Sequence, residues 1–321
     1  FALPFNGLAF NLDITLDGQS ADHLKITMRE KAVKDYPLWP NSIFSSFEAV
    51  FNIPGASQIH REVELTVKPK HGTAQGNTYS RTFFHQLGRR PEMPSKELQK
   101  TIGTLDDFNY LFTGRTLFRH FEAVLKRHSN RSFSESNFVL DWGCGPGRVA
   151  MHVLEDSRPK RFLGLDIVDA TVDWAKSTLD GDFQTCQTEP PLDIASDSVD
   201  VIYAYSVLTH IPETLFEKWL EEISRVMVPG GYFLATVLCE TAMAVTMSQW
   251  DEGNIRYVIQ RGVFDGIAND GLEHVGFSGE YYRNIYFTKT ALEGIVSKHF
   301  EIVEIVENFH FYQDLLVLRK R

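Results

Sequence analysis

The sequence predicts two domains, a smaller antiparallel β-sandwich followed by a doubly wound α/β sheet whose last strand runs antiparallel. Before residue 70, apolar residues recur at every second position with turns between them and no long helical period. From Phe138 onward, short apolar runs alternate with stretches of helical period, the pattern of a parallel sheet covered on both faces by helices. Near the carboxy terminus two strand patterns lie too close together to hold a crossover helix. A chain of 321 residues exceeds the usual size of one hydrophobic core, and 43% hydrophobic with 23% charged residues is ordinary for globular protein.

In the first domain, Leu8, Phe10, Leu12, Ile14 and Leu16 alternate with smaller or polar residues until Asp17-Gly18 breaks the run as a turn. Leu24, Ile26 and Met28 repeat the alternation. So do Val63, Leu65 and Val67, set among Glu62, Glu64, Thr66 and Lys68, and residues 45–53 form a further strand candidate. No cluster of titratable groups here reads as a catalytic site, and no internal repeat is visible. Asp35-Tyr36-Pro37, Pro40-Asn41-Ser42 and Phe44-Ser45-Ser46-Phe47 resemble β-sandwich modules attached to glycan-modifying enzymes. That resemblance implies saccharide binding, whereas the alternative is a packing or oligomerisation module without a ligand. Residues 70–95 are polar and carry Gly72, Gly76, Gly88, Pro91 and Pro94, which places the boundary there, with domains at 1–94 and 95–321. Residues 79–84 read as a strand that could still belong to the sandwich.

Ser95 is a helix-cap candidate opening the second domain. Leu111, Leu117, Phe118, Phe121, Val124 and Leu125 then recur at helical intervals, with an interruption expected at Thr113-Gly114. Strands are expected near 138–141, 162–166, 182–186, 199–204 and 231–238, the last launched by a turn at Pro229-Gly230-Gly231. Residues 239–284 are irregular and read as an insertion over the site. Strands at 300–306 and 313–318 close the domain as an antiparallel pair.

The chemistry gathers at Phe138-Val139-Leu140-Asp141-Trp142-Gly143-Cys144-Gly145-Pro146-Gly147-Arg148, a strand, a tight loop and a helix start. Glycine is needed in such a loop because a side chain would hold a ligand off the backbone. Arg148 stands where a dinucleotide fingerprint would carry its third glycine, which weakens a nicotinamide reading. About twenty residues on, Phe162-Leu163-Gly164-Leu165 ends at Asp166, a carboxylate suited to ribose hydroxyls.

These residues, with Asp200-Val201-Ile202-Tyr203-Ala204-Tyr205-Ser206-Val207-Leu208-Thr209-His210-Ile211, Ser224-Arg225-Val226-Met227-Val228-Pro229-Gly230-Gly231-Tyr232 and Gln313-Asp314-Leu315-Leu316-Val317-Leu318-Arg319, resemble the class I S-adenosylmethionine-dependent methyltransferases, a Rossmann-like family. The resemblance implies S-adenosyl-L-methionine as cofactor, with Asp141, Gly143, Cys144 and Gly145 at its methionine end, Asp166 on the ribose and Ile167 beside the adenine. It further implies a loop near Thr188 and Glu189 closing over the adenine, and Arg115 on the cofactor carboxylate. Asp141 could instead cap the loop, and Arg115 could form a surface salt bridge. Tyr205, Ser206 and His210 occupy the position from which this family faces both methionine and substrate. His210 is either the base that takes the acceptor's proton or a structural histidine bonded to nearby backbone. Tyr281, Tyr282 and Asn284, with Gln313 and Asp314, are candidates for the acceptor pocket. Leu-Asp-Trp-Gly-Cys-Gly around Trp142 resembles a branch found near cell-surface polysaccharide genes, which points to sugar hydroxyls as acceptors. No Asn-Pro-Pro-Tyr motif follows the fourth strand, against methylation of DNA bases.

A formal charge of −10 with no dense basic run argues against a nucleic-acid partner, and Arg319-Lys320-Arg321 reads as a solvated end. Cys144, Cys186 and Cys239 are scattered without metal-ligand spacing, which suits a reducing, cytoplasmic compartment. No membrane helix or signal peptide is apparent, and a chain beginning at Phe1 instead of Met is expected to be a piece of something longer. The expectation is an O-methyltransferase acting on a glycan or other small polar acceptor. Its rivals are an NAD(P)-dependent oxidoreductase, disfavoured by Arg148 and the closing hairpin, and a non-catalytic cofactor-binding subunit.

Overall fold

The computed structural model describes residues 11–16, 18–20, 23–27, 46–50, 60–71, 74–75, 79–86, 92–104, 106–246, 250–279 and 281–321. They fall into two compact units, Phe1–Pro91 and Glu92–Arg321.

In the first unit β1 (Asn11–Leu16) pairs with β2 (Gln19–Ser20) and with β5 (His60–His71), and β3 (His23–Thr27) pairs with β4 (Ser46–Val50). β6 (Ala74–Gln75) and β7 (Tyr79–Gln86) complete the sheet around β5, and all of these pairings are antiparallel. The period-two pattern has its consequence at Ile14 and Val67, which face each other across β1 and β5 and are both buried. Residues 35–45, which carry most of the glycan-module resemblance, lie outside the described residues, as do Leu8, Phe10, Asp17 and Met28; Ser46 and Phe47 lie in β4.

The second unit opens with α1 (Lys96–Lys100), whose first turn is capped by Ser95 accepting from the Leu98 backbone amide. Then α2 (Asp107–Ser129) runs unbroken through Thr113-Gly114, contrary to the expected interruption. Glycine is there for contact, since a Cβ on Gly114 would stand 2.1 Å from the Arg148 carbonyl oxygen. The Tyr110 hydroxyl one turn earlier donates to the Pro146 carbonyl at 2.7 Å, so α2 bears directly on the glycine loop.

The main sheet contains β8 (Phe138–Trp142), β9 (Arg161–Asp166), β10 (Asp182–Thr185), β11 (Val199–Ala204), β12 (Met227–Val237), β15 (Phe300–His310) and β16 (Gln313–Lys320). Their order is β10-β9-β8-β11-β12-β16-β15. β8 to β12 are mutually parallel, and β16 runs antiparallel to both β12 and β15. Successive residues serve opposite faces. Leu140, Ile202, Phe233 and Leu316 pack with Trp219 and Ile223 of α5 (Glu213–Val226) and with Leu292 of α8 (Lys289–Val296). Val139, Val201, Leu234 and Leu315 pack with Leu117 and Phe121 of α2, Val153 of α3 (Ala150–Asp156) and Val172 of α4 (Asp169–Thr178). Each such fully buried side chain contributes about 1.5–3 kcal/mol, so both faces hold the strand tips in place.

Two further expectations change. Pro229-Gly230-Gly231 lies inside β12 as a register shift, with Val199 opposite Met227 but Val201 opposite Tyr232, and Gly230 at φ 78°. The described residues of the insertion form regular elements: α6 (Glu240–Thr246) and α7 (Glu252–Arg261) precede an antiparallel pair of β13 (Val263–Ala268) and β14 (Arg283–Phe287). A register shift between Phe264 and Ile267 breaks the alternation of β13, which is why its pattern looks irregular. No helix among the described residues is long and apolar enough to cross a membrane.

Candidate active site

A cavity of about 800 Å³ opens where β8, β9, β10 and β11 end, roofed by the insertion, the β15–β16 tip and the segment joining α1 to α2. The glycine loop shapes its floor. Gly143 and Gly145 have φ of 78° and 51°, and a Cβ on either would stand 2.2 Å from Val207 Cγ2 or 2.6 Å from Ile102 Cγ2. The Gly143 and Cys144 amides both donate to the Leu165 carbonyl, at 2.7 and 2.9 Å, which ties the loop to the end of β9. Asp166 braces it from there, accepting from the Gly145 amide (2.7 Å) and the Val168 amide (2.9 Å).

Asp141, 4% exposed, accepts the Tyr203 hydroxyl at 2.9 Å. Burial pushes its pKa up to about 8, opposed by the Tyr203 hydrogen bond and reinforced by Asp166 nearby. Burial likewise raises Asp166 above the usual carboxylate range. The cavity floor is therefore a place where added positive charge would be stabilised.

Asp141, Gly143, Cys144, Gly145, Asp166 and Ile167 all line this one cavity, as do Tyr205, His210, Tyr282, Asn284 and Gln313. Three residues carried in from the resemblance do not. Arg115 turns away to pair with Asp156 and lies against the Phe118 ring. Thr188 and Glu189 stand beyond the lining, where Cys186 and Gln187 take their place, and the Thr188 carbonyl accepts the Tyr281 hydroxyl at 3.3 Å. Asp314 is fully buried outside the lining and accepts from the Asn308 amide.

Arg148 is a buried cation in the cavity wall. It is 9% exposed, its guanidinium lies 5.2 Å from the Tyr205 ring centroid, and its hydrogen bond to the Ile102 carbonyl is a long 3.5 Å. Among the described residues it forms no carboxylate ion pair, so a ligand carboxylate would complete it. The signal was a charged residue inside a glycine loop, which spacing alone registers as a missing glycine.

The end of β11 carries a second cluster. Ser206 holds φ 60°, a strained value for a residue with a side chain, with its amide donating to Thr236 Oγ1 at 2.7 Å. Gln313 Nε2 donates to Ser206 Oγ (3.1 Å), which stands 3.4 Å from His210 Nε2. His210 Nδ1 is 3.0 Å from the Arg283 carbonyl, and its ring stacks on Tyr282 with centroids 4.2 Å apart. A carbonyl only accepts, so Nδ1 carries the hydrogen; burial pushes the ring's pKa down to about 4, leaving Nε2 a bare acceptor at neutral pH.

A parallel sheet closed by a reversed strand, with a glycine loop and an acid at adjacent strand tips, defines a Rossmann-like nucleoside-binding enzyme fold. Residues 139–231, which contain that loop and that acid, match the family model described as a methyltransferase domain. Solved structures similar to this chain include a Pyrococcus horikoshii protein, 18% identical over 71% of this chain and 100% of its own, with a TM-score of 0.48. A putative S-adenosylmethionine-dependent methyltransferase from Listeria monocytogenes is 20% identical over 63% and 99%, with a TM-score of 0.46. A magnesium protoporphyrin IX methyltransferase from Synechocystis, solved with S-adenosylhomocysteine, is 14% identical over 70% and 93%, with a TM-score of 0.46. Residues 139–231 thus form a methyltransferase domain, set in a sheet with the Rossmann-like fold of class I methyltransferases, and its cofactor is S-adenosylmethionine.

The cavity fits that cofactor. Bare backbone at Gly143 and Gly145 makes room for it, the buried Asp141 and half-buried Asp166 suit its positive charge and ribose, and Arg148 suits its carboxylate.

Proposed function

We propose that this enzyme methylates a hydroxyl oxygen of a glycan or other small polar acceptor. The cofactor supplies a methyl group on a sulfonium, and the chain's own residues do the rest. Gly143, Gly145, Asp141, Asp166, Ile167 and Arg148 would hold the cofactor, while Cys186 and Gln187 flank it from β10. Tyr205, Ser206 and His210, which follow β11, would hold the acceptor beside it together with Tyr282, Asn284 and Gln313. Positioning of this kind supplies most of the acceleration in a displacement reaction.

The observation that carries the reading is the tautomer of His210. With Nδ1–H donated to the Arg283 carbonyl, Nε2 turns its lone pair toward Ser206 Oγ and the cavity, where it would take the acceptor hydroxyl's proton as the methyl group leaves the sulfonium and S-adenosylhomocysteine forms. A weak base suffices, because the proton on an oxygen gaining a methyl group becomes strongly acidic as the new bond forms. A neutral His210 also leaves the acceptor hydroxyl uncharged until that moment.

A mass-spectrometric screen for a one-methylene gain across sugar, lipid and peptide pools identifies the acceptor. With it, His210→Ala lowers turnover about a hundredfold or more while cofactor affinity stays within about threefold. Unchanged turnover would remove His210 from the reaction. Three unpaired cysteines support a reducing, cytoplasmic setting, and the net charge of −10 supports acceptors other than nucleic acid.

A further inference from the structure

The charged residues that line the cavity are unevenly placed. Asp141 and Arg148 come from the β8 loop, Asp166 from the end of β9, and Lys100 and Asp106 from the segment around α1. The lining contributed by β11, the insertion and the β15–β16 tip contains, among the described residues, no Lys, Arg, Asp or Glu. Its polar groups are hydroxyls, amides and the neutral His210. Asn269 Nδ2 donates to Asn284 Oδ1 at 2.9 Å, forming an amide pair in the wall. Gln313, 8% exposed, spends its Nε2 on Ser206 while its Oε1 has no partner. Turning the amide over would only exchange which atom is left, so one hydrogen bond remains for a ligand.

Aromatic rings complete this side. Tyr282 lies flat on His210, and Phe311 and Tyr312 form the two-residue tip between β15 and β16. Phe311 is 75% exposed and stands at φ 53°, in the left-handed region, yet it lines the cavity. An apolar ring held in the open by a strained backbone, at the mouth of a polar uncharged wall, suits a ligand with one apolar face.

We infer that the acceptor is an electrically neutral, hydroxylated ring, such as an uncharged sugar, and that Phe311 determines this specificity by covering the ring's apolar face. This rests on the hydroxyl-methylation reading and narrows it. Among the described residues this side contributes no cation for anionic acceptors such as uronates and no carboxylate for ammonium groups, and Arg148 over Tyr205 is taken by the cofactor carboxylate on the same reading, so both would be buried without a partner.

Saturation-transfer NMR on the full chain loaded with S-adenosylhomocysteine tests the inference without turnover. The probes are methyl glucoside, methyl glucuronoside and glucosamine at neutral pH. Methyl glucoside is expected to bind, at least about tenfold more tightly than the two charged probes, and Phe311→Ala is expected to weaken it about tenfold. Gln313→Leu provides a second variant and should weaken it comparably. Equal or tighter binding of a charged probe, absence of methyl glucoside binding, or an unaltered affinity in Phe311→Ala would overturn the inference. Failure of the methylation reading is distinguishable, because the mass-spectrometric screen would then show no one-methylene gain on any hydroxyl acceptor, whatever ring binds.

Discussion

At Asp141 two requirements conflict. The side chain is sealed behind β8 to face the cavity, yet burial makes its charge costly, which is why its pKa rises to about 8. The unfolded chain holds this carboxyl near 3.8, so the ligand-free fold enjoys the full benefit of a protonated Asp141 below that pH. It loses that benefit progressively as pH climbs from about 4 through about 8. Asp141→Asn keeps an acceptor for the Tyr203 hydroxyl and removes the charge. In cofactor-free melts the variant should therefore match or exceed the parent at about pH 8, while its affinity for S-adenosylmethionine falls about tenfold or more. A variant less stable than the parent at pH 8 would show that Asp141 stabilises the loop instead of straining it. His210 is the complementary case: burial depresses a base where it raises an acid, so the two ends of one cavity are an acid held partly protonated and an imidazole held neutral.

Among elements, the contact between α2 and the glycine loop sets the geometry of the floor. Alanine is favoured over glycine within a helix by about 1 kcal/mol, but at Gly114 its Cβ would meet the Arg148 carbonyl, a backbone atom with little freedom to yield. Packing wins over propensity, so Gly114→Ala should lower the thermal midpoint by about 3 °C or more and weaken the cofactor through displaced Arg148. A raised midpoint would mean the helix and loop can part. The same residue shows where sequence reading falls short. Thr113-Gly114 reads as a helix break because propensity is local, whereas the reason for glycine lies across space at Arg148. The sheet strands were legible because both faces are buried and the apolar runs are continuous, as in Phe138-Val139-Leu140. The acids ending β8 and β9 were legible for the same reason, each closing such a run. For Arg115 the sequence left a cofactor contact and a salt bridge open, because its ion-pair partner Asp156 of α3 leaves no trace in spacing. Asn269 and Phe311 carry no sequence signal at all, since a register shift in β13 and a two-residue hairpin tip place them.

For the second unit as a whole, one cavity gathers the glycine loop, a buried and a half-buried acid, an arginine without a carboxylate partner among the described residues and a neutral histidine, contributed by segments from Lys100 to Gln313. A net charge of −10 favours cationic over anionic nucleotides in general, but that long-range field is screened by salt, whereas the buried carboxylates are not. On the proposed reading the choice of cofactor is therefore made locally, by Asp141, Asp166 and Arg148. Titration calorimetry of the full chain with S-adenosylmethionine, S-adenosylhomocysteine and NAD tests that choice most directly. Binding of both sulfur nucleosides at least about a hundredfold more tightly than NAD, and its loss in Asp166→Ala, is the predicted result. Tighter binding of NAD, or an Asp166→Ala variant with undiminished affinity for S-adenosylmethionine, would contradict it.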